Sequence, residues 1–198
     1  MIRFFTGIFT FILVLVNALF VIFVVTPLGL LRFIPIKPFQ IFILRINEKF
    51  GELYLFFNSR LQDLMHKSKF EVHGQEKLKK DMWQFTTINH LSWADIFVYL
   101  YFCNYRQSVP RIFMKSQLWW LPITWTANLG LAMPFVVRRS KEAIKANPKL
   151  AETDKNATRR ACKMYQIMPT NVGGFIEGTR IDKQKYLASK SKFKNLMP

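Results

Sequence analysis

The sequence has few of the residues that build metal centres and disulfide frameworks. Only two cysteines and three histidines occur in its 198 residues. Cys103 and Cys162 have no paired spacing, so they form neither a metal motif nor a disulfide framework, and this usage suits a reducing compartment. No second histidine or cysteine lies at ligand spacing from His90, and one nearby carboxylate is too few, so we expect no metal site.

Acidic residues are also scarce. Lys and Arg number 29 against 12 Asp and Glu, which gives a formal net charge of +17, while 51% of the residues are hydrophobic. A chain that is both basic and apolar suits an anionic membrane, where each Lys or Arg near the headgroups contributes about 1 kcal/mol. Nucleic acid is the other usual partner for such charge, but the sequence contains no recognised nucleic-acid module, so we expect no such partner.

Charge of either sign is missing from Phe4 to Leu31. A bilayer core needs about 20 apolar residues in a helix, so we predict a membrane helix over residues 4–25 that ends at Thr26-Pro27. A signal peptide is the competing interpretation, but its hydrophobic region would be shorter and followed by a small-residue cleavage site. More positive charge follows the stretch than precedes it, which predicts that the body of the protein faces the cytoplasm.

A second apolar stretch begins at Phe39 and becomes amphipathic through Phe57. A helix of this kind can lie in the membrane interface. A hairpin of both stretches in one leaflet is therefore the alternative to a single span. We expect residues 1–60 to form a membrane anchor with an interfacial helix. The second domain is expected to comprise residues 61–198 and to begin with a polar connector over residues 61–69.

From Phe70 onward, short apolar strands alternate with helical segments. We predict strands at 70–73, 83–89, 109–114, 132–137 and 172–176, and helices at 93–105 and 141–166, the latter split at 147–148. This alternation predicts an α/β domain, a mixed sheet flanked by helices, in which functional sites collect at the carboxyl ends of strands. His90, Arg138 and Glu177 each fall just past a predicted strand.

The stretch Thr87–Asp95 places a histidine at the end of an apolar strand. A neutral histidine can take a proton from a hydroxyl group near neutral pH. Asp95 can accept a hydrogen bond from the other ring nitrogen of His90, fix its tautomer and stabilise the imidazolium that forms. The alternative is a purely structural strand-to-helix turn in which Asp95 begins the helix.

A second stretch, Phe175–Arg180, ends a predicted strand in an acid, a glycine, a hydroxyl and an arginine. Gly178 permits close approach of the backbone, while Thr179 and exposed amides can donate to phosphate oxygens. Arg180 offers a bidentate fork that suits phosphate, and Glu177 can bind a substrate hydroxyl or hold the arginine. The alternative is a tight turn with a surface ion pair, which contributes little.

Together these stretches resemble sequence blocks of the glycerolipid acyltransferases. Asn89–Asp95 is similar to the first block of that family and Phe175–Arg180 to the third. Gly130 and Phe135–Arg138 match the second block, a glycine followed by an apolar strand and an arginine. The likeness is to the bacterial 1-acylglycerol-3-phosphate (lysophosphatidic acid) acyltransferases, and it covers residues 70–198.

The resemblance implies a glycerol-3-phosphate acyltransferase-like fold and the transfer of a fatty acyl group to the free hydroxyl of 1-acylglycerol-3-phosphate or a related lysophospholipid, in phospholipid biosynthesis. The implied donor is acyl-CoA or acyl carrier protein, which acts as a co-substrate, so no cofactor is expected. His90 is the implied base, held by Asp95, and no acyl-enzyme forms. The implied phosphate-binding residues are Arg138, Glu177, Gly178, Thr179 and Arg180. The implied location is the bacterial inner membrane, with its phospholipids as partners.

The family's fourth block, a short apolar strand around a proline, has at most its beginning at Pro198. We therefore expect an acyltransferase domain that is incomplete at its C-terminus and whose sheet has an unpaired edge. The second interpretation is a catalytically inactive membrane-binding fragment of such an enzyme.

Overall fold

The computed structural model describes residues 2–65, 70–104, 106–137, 139, 141–175 and 180. Its helices are α1 (Ile2–Leu31), α2 (Lys37–Met65), α3 (Ala94–Cys103), α4 (Pro122–Leu131), α5 (Lys141–Ala146) and α6 (Lys149–Cys162). Its strands are β1 (Gln84–Ile88), β2 (Arg111–Ile112), β3 (Met114–Lys115), β4 (Phe135–Val136) and β5 (Asn171–Phe175). Short 3-10 helices lie at Gln75–Lys77, Ser116–Trp120 and Lys163–Gln166.

The strands form two small parallel sheets. One sheet has the order β1-β5-β2, and the other pairs β3 with β4. Parallel strands require crossover connections, which α3 provides between β1 and β2, and the 3-10 helix Ser116–Trp120 with α4 between β3 and β4. Helices α5 and α6 connect the second sheet to the first. The α/β class predicted from the sequence is confirmed. The strand predicted over 109–114 is divided, because β2 pairs with β5 whereas β3, after Phe113, pairs with β4.

A buried polar network fixes β5 between its neighbours. Asn171 is fully buried; its Oδ1 accepts a hydrogen bond from Thr86 of β1 at 2.9 Å, and its Nδ2 donates to Gln107 at 3.0 Å. Gly173 lies so close to Tyr99 of α3 that an added Cβ would be 2.6 Å from the tyrosine oxygen. Glycine is therefore required here, since α3 packs directly on the backbone of β5.

Helix α1 continues through Thr26-Pro27 to Leu31, so the predicted end at the proline is wrong. A proline inside a helix costs about 3 kcal/mol, and packing on α4 offsets this cost. The Thr26 hydroxyl lies 2.7 Å from that of Thr126. An added Cβ on Gly29 would lie 2.7 Å from the carbonyl group of Leu129, so the two backbones are in direct contact.

The predicted limits of two other segments are also wrong. Helix α2 continues to Met65, where a polar connector was expected from Leu61; Gln62 and Asp63 bond to residues of α3, which stabilises this last part of the helix. The segment 70–73 is not a strand. The ring of Phe70 packs against Tyr101 at 4.7 Å, and the described ladder of β1 is with β5.

A buried ion pair fastens α2 to the edge of the first sheet. Glu48 of α2 pairs with Arg111 of β2, and their side chains are 9% and 4% exposed. Glu48 also accepts a hydrogen bond from the Val109 amide at 2.9 Å, and Arg111 donates to the Val109 carbonyl at 2.8 Å. The hydrophobic core formed by Leu55, Tyr99, Cys103, Val109 and Leu131 lies beside this pair and joins α2, α3 and α4.

Candidate functional site

The ends of β1 and β5 bring His90 of the first sequence block against Phe175 of the third. The two strands pair in parallel, with Ile88 opposite Phe175, so both strands end at the same edge of the sheet. His90 follows β1, and its ring stacks on the Phe175 ring with centroids 4.2 Å apart and planes 28° apart. The packing of Phe175 on His90 was not predicted. Phe175 belongs to the third-block pattern, but the sequence does not show which residue a strand side chain will contact.

His90 and Asp95 lie in hydrogen-bonding distance. His90 Nδ1 is 3.3 Å from Asp95 Oδ2, and the two side chains are 11% and 26% exposed. The same carboxylate oxygen accepts the backbone N–H groups of Leu91 and Ser92, each at 2.7 Å. The turn between strand and helix is therefore closed around Asp95 Oδ2, and this holds the carboxylate in a fixed position beside the imidazole.

The surroundings of Asp95 favour its charged form. The Ser92 N–H holds the pKa of this carboxyl below its usual value, with further support from His90 and the Leu91 N–H, while partial burial opposes the shift. Asp95 also lies in the first turn of α3, where the positive end of the helix dipole favours an anion. Asp95 is thus ionised at neutral pH and can stabilise a positive charge on His90.

Two further residues of this stretch shape the turn. Ser92 Oγ accepts a hydrogen bond from the Ala94 amide at 2.8 Å, which satisfies one of the unpaired donors at the start of α3. The Trp93 ring meets the His90 ring edge-on at 6.2 Å and remains 67% exposed. The imidazole therefore lies between Phe175 on one face and the edge of an exposed indole.

Two cavities lie close to Asp95, and His90 lines neither of them. A cleft of about 670 Å³ is lined by Asn89, Leu91 and Asp95, together with residues of β1 and α3. A second, mainly apolar groove of about 440 Å³ runs between α1, α2 and α3 and reaches Ala94, the residue before Asp95. Phe70 and Val98 line both cavities, so the groove and the cleft are neighbours.

Of the remaining predicted site residues, the structure describes only Arg180. Arg180 is exposed beyond the end of β5. Arg138, Glu177, Gly178 and Thr179 lie outside the described residues, so the predicted phosphate site stays a prediction. Among the side chains that are described, no group of three His, Cys, Asp or Glu could hold a metal ion.

The profile of the acyltransferase family matches residues 69–197, more than half of the chain. The chain belongs to the acyltransferase family. A search of the curated proteins finds no match to it, and a search of the solved structures finds none either. The matched region of this acyltransferase contains β1 to β5 and the His90–Asp95 pair, whereas α1 and α2 precede it.

Proposed function

We propose that this acyltransferase moves a fatty acyl group from acyl-CoA or acyl carrier protein to the free hydroxyl of 1-acylglycerol-3-phosphate or a related lysophospholipid. The observation that carries the proposal is the His90–Asp95 pair, 3.3 Å apart at the edge where β1 and β5 end, inside the region that matches the family. Its place is phospholipid biosynthesis at the bacterial inner membrane, with residues 61–198 as the acyltransferase domain on the cytoplasmic side.

The chemistry requires a base for a hydroxyl group and no covalent enzyme intermediate. With Nδ1–H donating to Asp95, the neutral imidazole carries its lone pair on Nε2, which takes the proton as the hydroxyl oxygen attacks the thioester carbonyl. A C–O bond forms, the C–S bond then breaks, and the imidazolium returns its proton to the leaving thiolate. Asp95 lowers the free energy of the charged state between these steps.

A lipid acceptor suits the surroundings of the pair. Phe4–Leu31 of α1 is long and apolar enough to span a membrane. The inner side of the same helix forms one wall of the apolar groove that reaches Ala94, next to Asp95. An alkyl chain in this groove would pass Ala94 and lie against a helix suited to lipid, which supports a substrate that comes from the membrane.

The proposed acceptor phosphate binds to Arg138 and to the segment Glu177–Arg180. The register of β1 with β5 supports this assignment, since Phe175, the first residue of the third block, ends its strand at the edge that carries His90. Arginine and backbone amides are the donors that proteins use for phosphate oxygens.

The acceptor is tested with labelled acyl thioester and two lipids that differ only in phosphate, lysophosphatidic acid and monoacylglycerol. We expect wild-type protein to prefer the phosphate-bearing acceptor. Arg180→Ala should raise the KM for lysophosphatidic acid by about tenfold, the cost of one charged hydrogen bond, and leave the use of monoacylglycerol unchanged. Arg159→Ala, an exposed arginine on α6, is the matched control. An unchanged KM in Arg180→Ala would contradict phosphate binding at this residue.

Gly7 of α1 offers a test of the groove. It lines the groove, and an added Cβ would meet nothing within 4 Å, so a side chain at this position starts in open space. Gly7→Phe should therefore narrow the groove and shift the ratio of long-chain to short-chain turnover by about tenfold or more toward short chains, as expected when a pocket loses room for methylene groups.

The matched control for the groove is Leu15→Phe, which adds an aromatic ring at a position that is 46% exposed and does not line the groove. Chain length is varied separately in the donor and in the acceptor, so the experiment also shows which chain occupies the groove. If Gly7→Phe keeps the wild-type chain-length ratio for both substrates, the groove does not hold an alkyl chain.

A further inference from the structure

Three of the five tryptophans of the sequence are exposed together on one short segment. Trp119, Trp120 and Trp125 are 61%, 66% and 47% exposed, and Ile123 between them is 37% exposed. Trp125 Nε1 donates to the Trp119 carbonyl, which joins the 3-10 helix Ser116–Trp120 to the start of α4. We call these three side chains the tryptophan ledge. Soluble proteins rarely expose a contiguous apolar patch of this kind without a partner.

Helix α4, which carries Trp125 of the ledge, packs directly on α1. Leu129, one helical turn beyond Trp125, contacts Gly29 of α1 through its backbone. Gly130 packs so closely on Val25 that there is no room for a side chain. Helices that approach through glycine in this way cannot shift without losing contact, so the ledge has a fixed place near the Leu31 end of α1.

Helix α1 has an inner and an outer face, although both are apolar in sequence. The inner face packs against the protein: Asn17 donates to the Tyr54 carbonyl of α2 at 3.3 Å, and Val21 and Val25 are buried. The outer face is a contiguous row of exposed side chains, formed by Phe5, Ile8, Phe9, Ile12, Val16, Leu19, Phe20, Phe23 and Leu30. If lipid surrounded α1 on all sides, charged groups of the neighbouring α2, such as Asp63, would lie in hydrocarbon, which is costly. Lipid therefore meets α1 on its outer face.

We propose that the tryptophan ledge lies in the headgroup layer of an anionic lipid leaflet, beside a helix whose outer face meets the acyl chains. Indole rings favour this layer because they combine a large apolar body with a polar N–H group. The exposed Lys115 lies directly before the ledge segment, and the net charge of +17 attracts anionic lipid. The proposal rests on the membrane location proposed above and not on acyl transfer.

The test uses the full chain in phosphatidylglycerol vesicles, with tryptophan emission as the readout. Trp83→Phe with Trp93→Phe leaves only the ledge tryptophans. A second variant with phenylalanine at 93, 119, 120 and 125 leaves only Trp83, which is 60% exposed and therefore matched to the ledge in exposure. We expect lipids brominated near the headgroup to remove about half or more of the ledge emission, as for indoles at the membrane interface, and a smaller share of the Trp83 emission.

Ledge emission that is insensitive to brominated lipid would overturn the proposal. Quenching by aqueous iodide would then show that the ledge lies in water, and protection from both quenchers would show that it is covered by protein. Flotation of the same samples measures membrane association by itself. An acyl-transfer assay with wild-type protein in vesicles of the same composition measures the proposed function. A failure of membrane association or of acyl transfer can therefore be told apart from a failure of the ledge proposal.

Discussion

Replacement of His90 with alanine is expected to lower the rate of acyl transfer by about 10²–10⁴-fold, the usual contribution of a positioned general base. The imidazole is the group that can take the hydroxyl proton, and its Nδ1 is held 3.3 Å from an ionised carboxylate. The side chain is also packed on Phe175, so its removal leaves space at the end of the sheet. Thermal unfolding of the variant, measured beside wild type, separates loss of the base from loss of the fold.

Asp95→Asn is the companion variant that removes charge while keeping shape. Its three bonds, from His90, Leu91 and Ser92, all end on Oδ2, so an amide oxygen in that position keeps the turn closed. We expect a fall in rate of about 10²-fold or more, since a neutral amide no longer stabilises the imidazolium, with little change in the unfolding temperature. Asp81→Asn, at an exposed position before β1, is the control. A near-normal rate for Asp95→Asn is incompatible with the paired role.

Glu48→Ala is expected to lower the free energy of unfolding by about 3–5 kcal/mol, because it leaves a buried guanidinium without its counter-charge. Arg111 is 4% exposed in its side chain, and solvent cannot replace the lost carboxylate. The Val109 amide loses its acceptor in the same change. The effect is measured by thermal or denaturant unfolding in detergent, and Glu48→Gln, which keeps an oxygen for the amide, provides a milder second variant.

Glu52→Ala is the matched control on the same helix. Glu52 pairs with Lys49 at 3.0 Å and Lys80 at 3.4 Å, but it is partly exposed and its partners are on the surface. Exposed pairs of this kind contribute about 0–1 kcal/mol. Equal losses of stability in Glu48→Ala and Glu52→Ala would show that the buried pair does not fasten α2 to the sheet.

The α/β class and the proximity of His90 to Asp95 were predictable, because both depend on local patterns. Alternating apolar segments predict strands and helices, and five residues across a strand-to-helix turn are enough to bring a carboxylate back to an imidazole. The meeting of His90 with Phe175 was not predictable from local pattern, since it depends on the parallel register of β1 with β5.

The errors have a common cause in tertiary packing. Pro27 favours the end of a helix by its local preference, but α1 continues because α4 packs on both sides of Pro27 through Thr126 and Leu129. The two faces of α1 could not be distinguished in advance, since the stretch is apolar all round. The ion pair of Glu48 with Arg111 joins residues 63 positions apart, and neither residue signals its partner in the sequence.

The central claim, that this acyltransferase uses the His90–Asp95 pair to acylate a lysophospholipid, is tested most directly by the formation of phosphatidic acid. Purified wild-type protein and the His90→Ala variant are incubated in vesicles with lysophosphatidic acid and a labelled acyl thioester, after both are shown to be folded and membrane-bound. The account predicts labelled phosphatidic acid from wild type and about 10²–10⁴-fold less from His90→Ala. Equal product from the two proteins, or none from wild type, would contradict it.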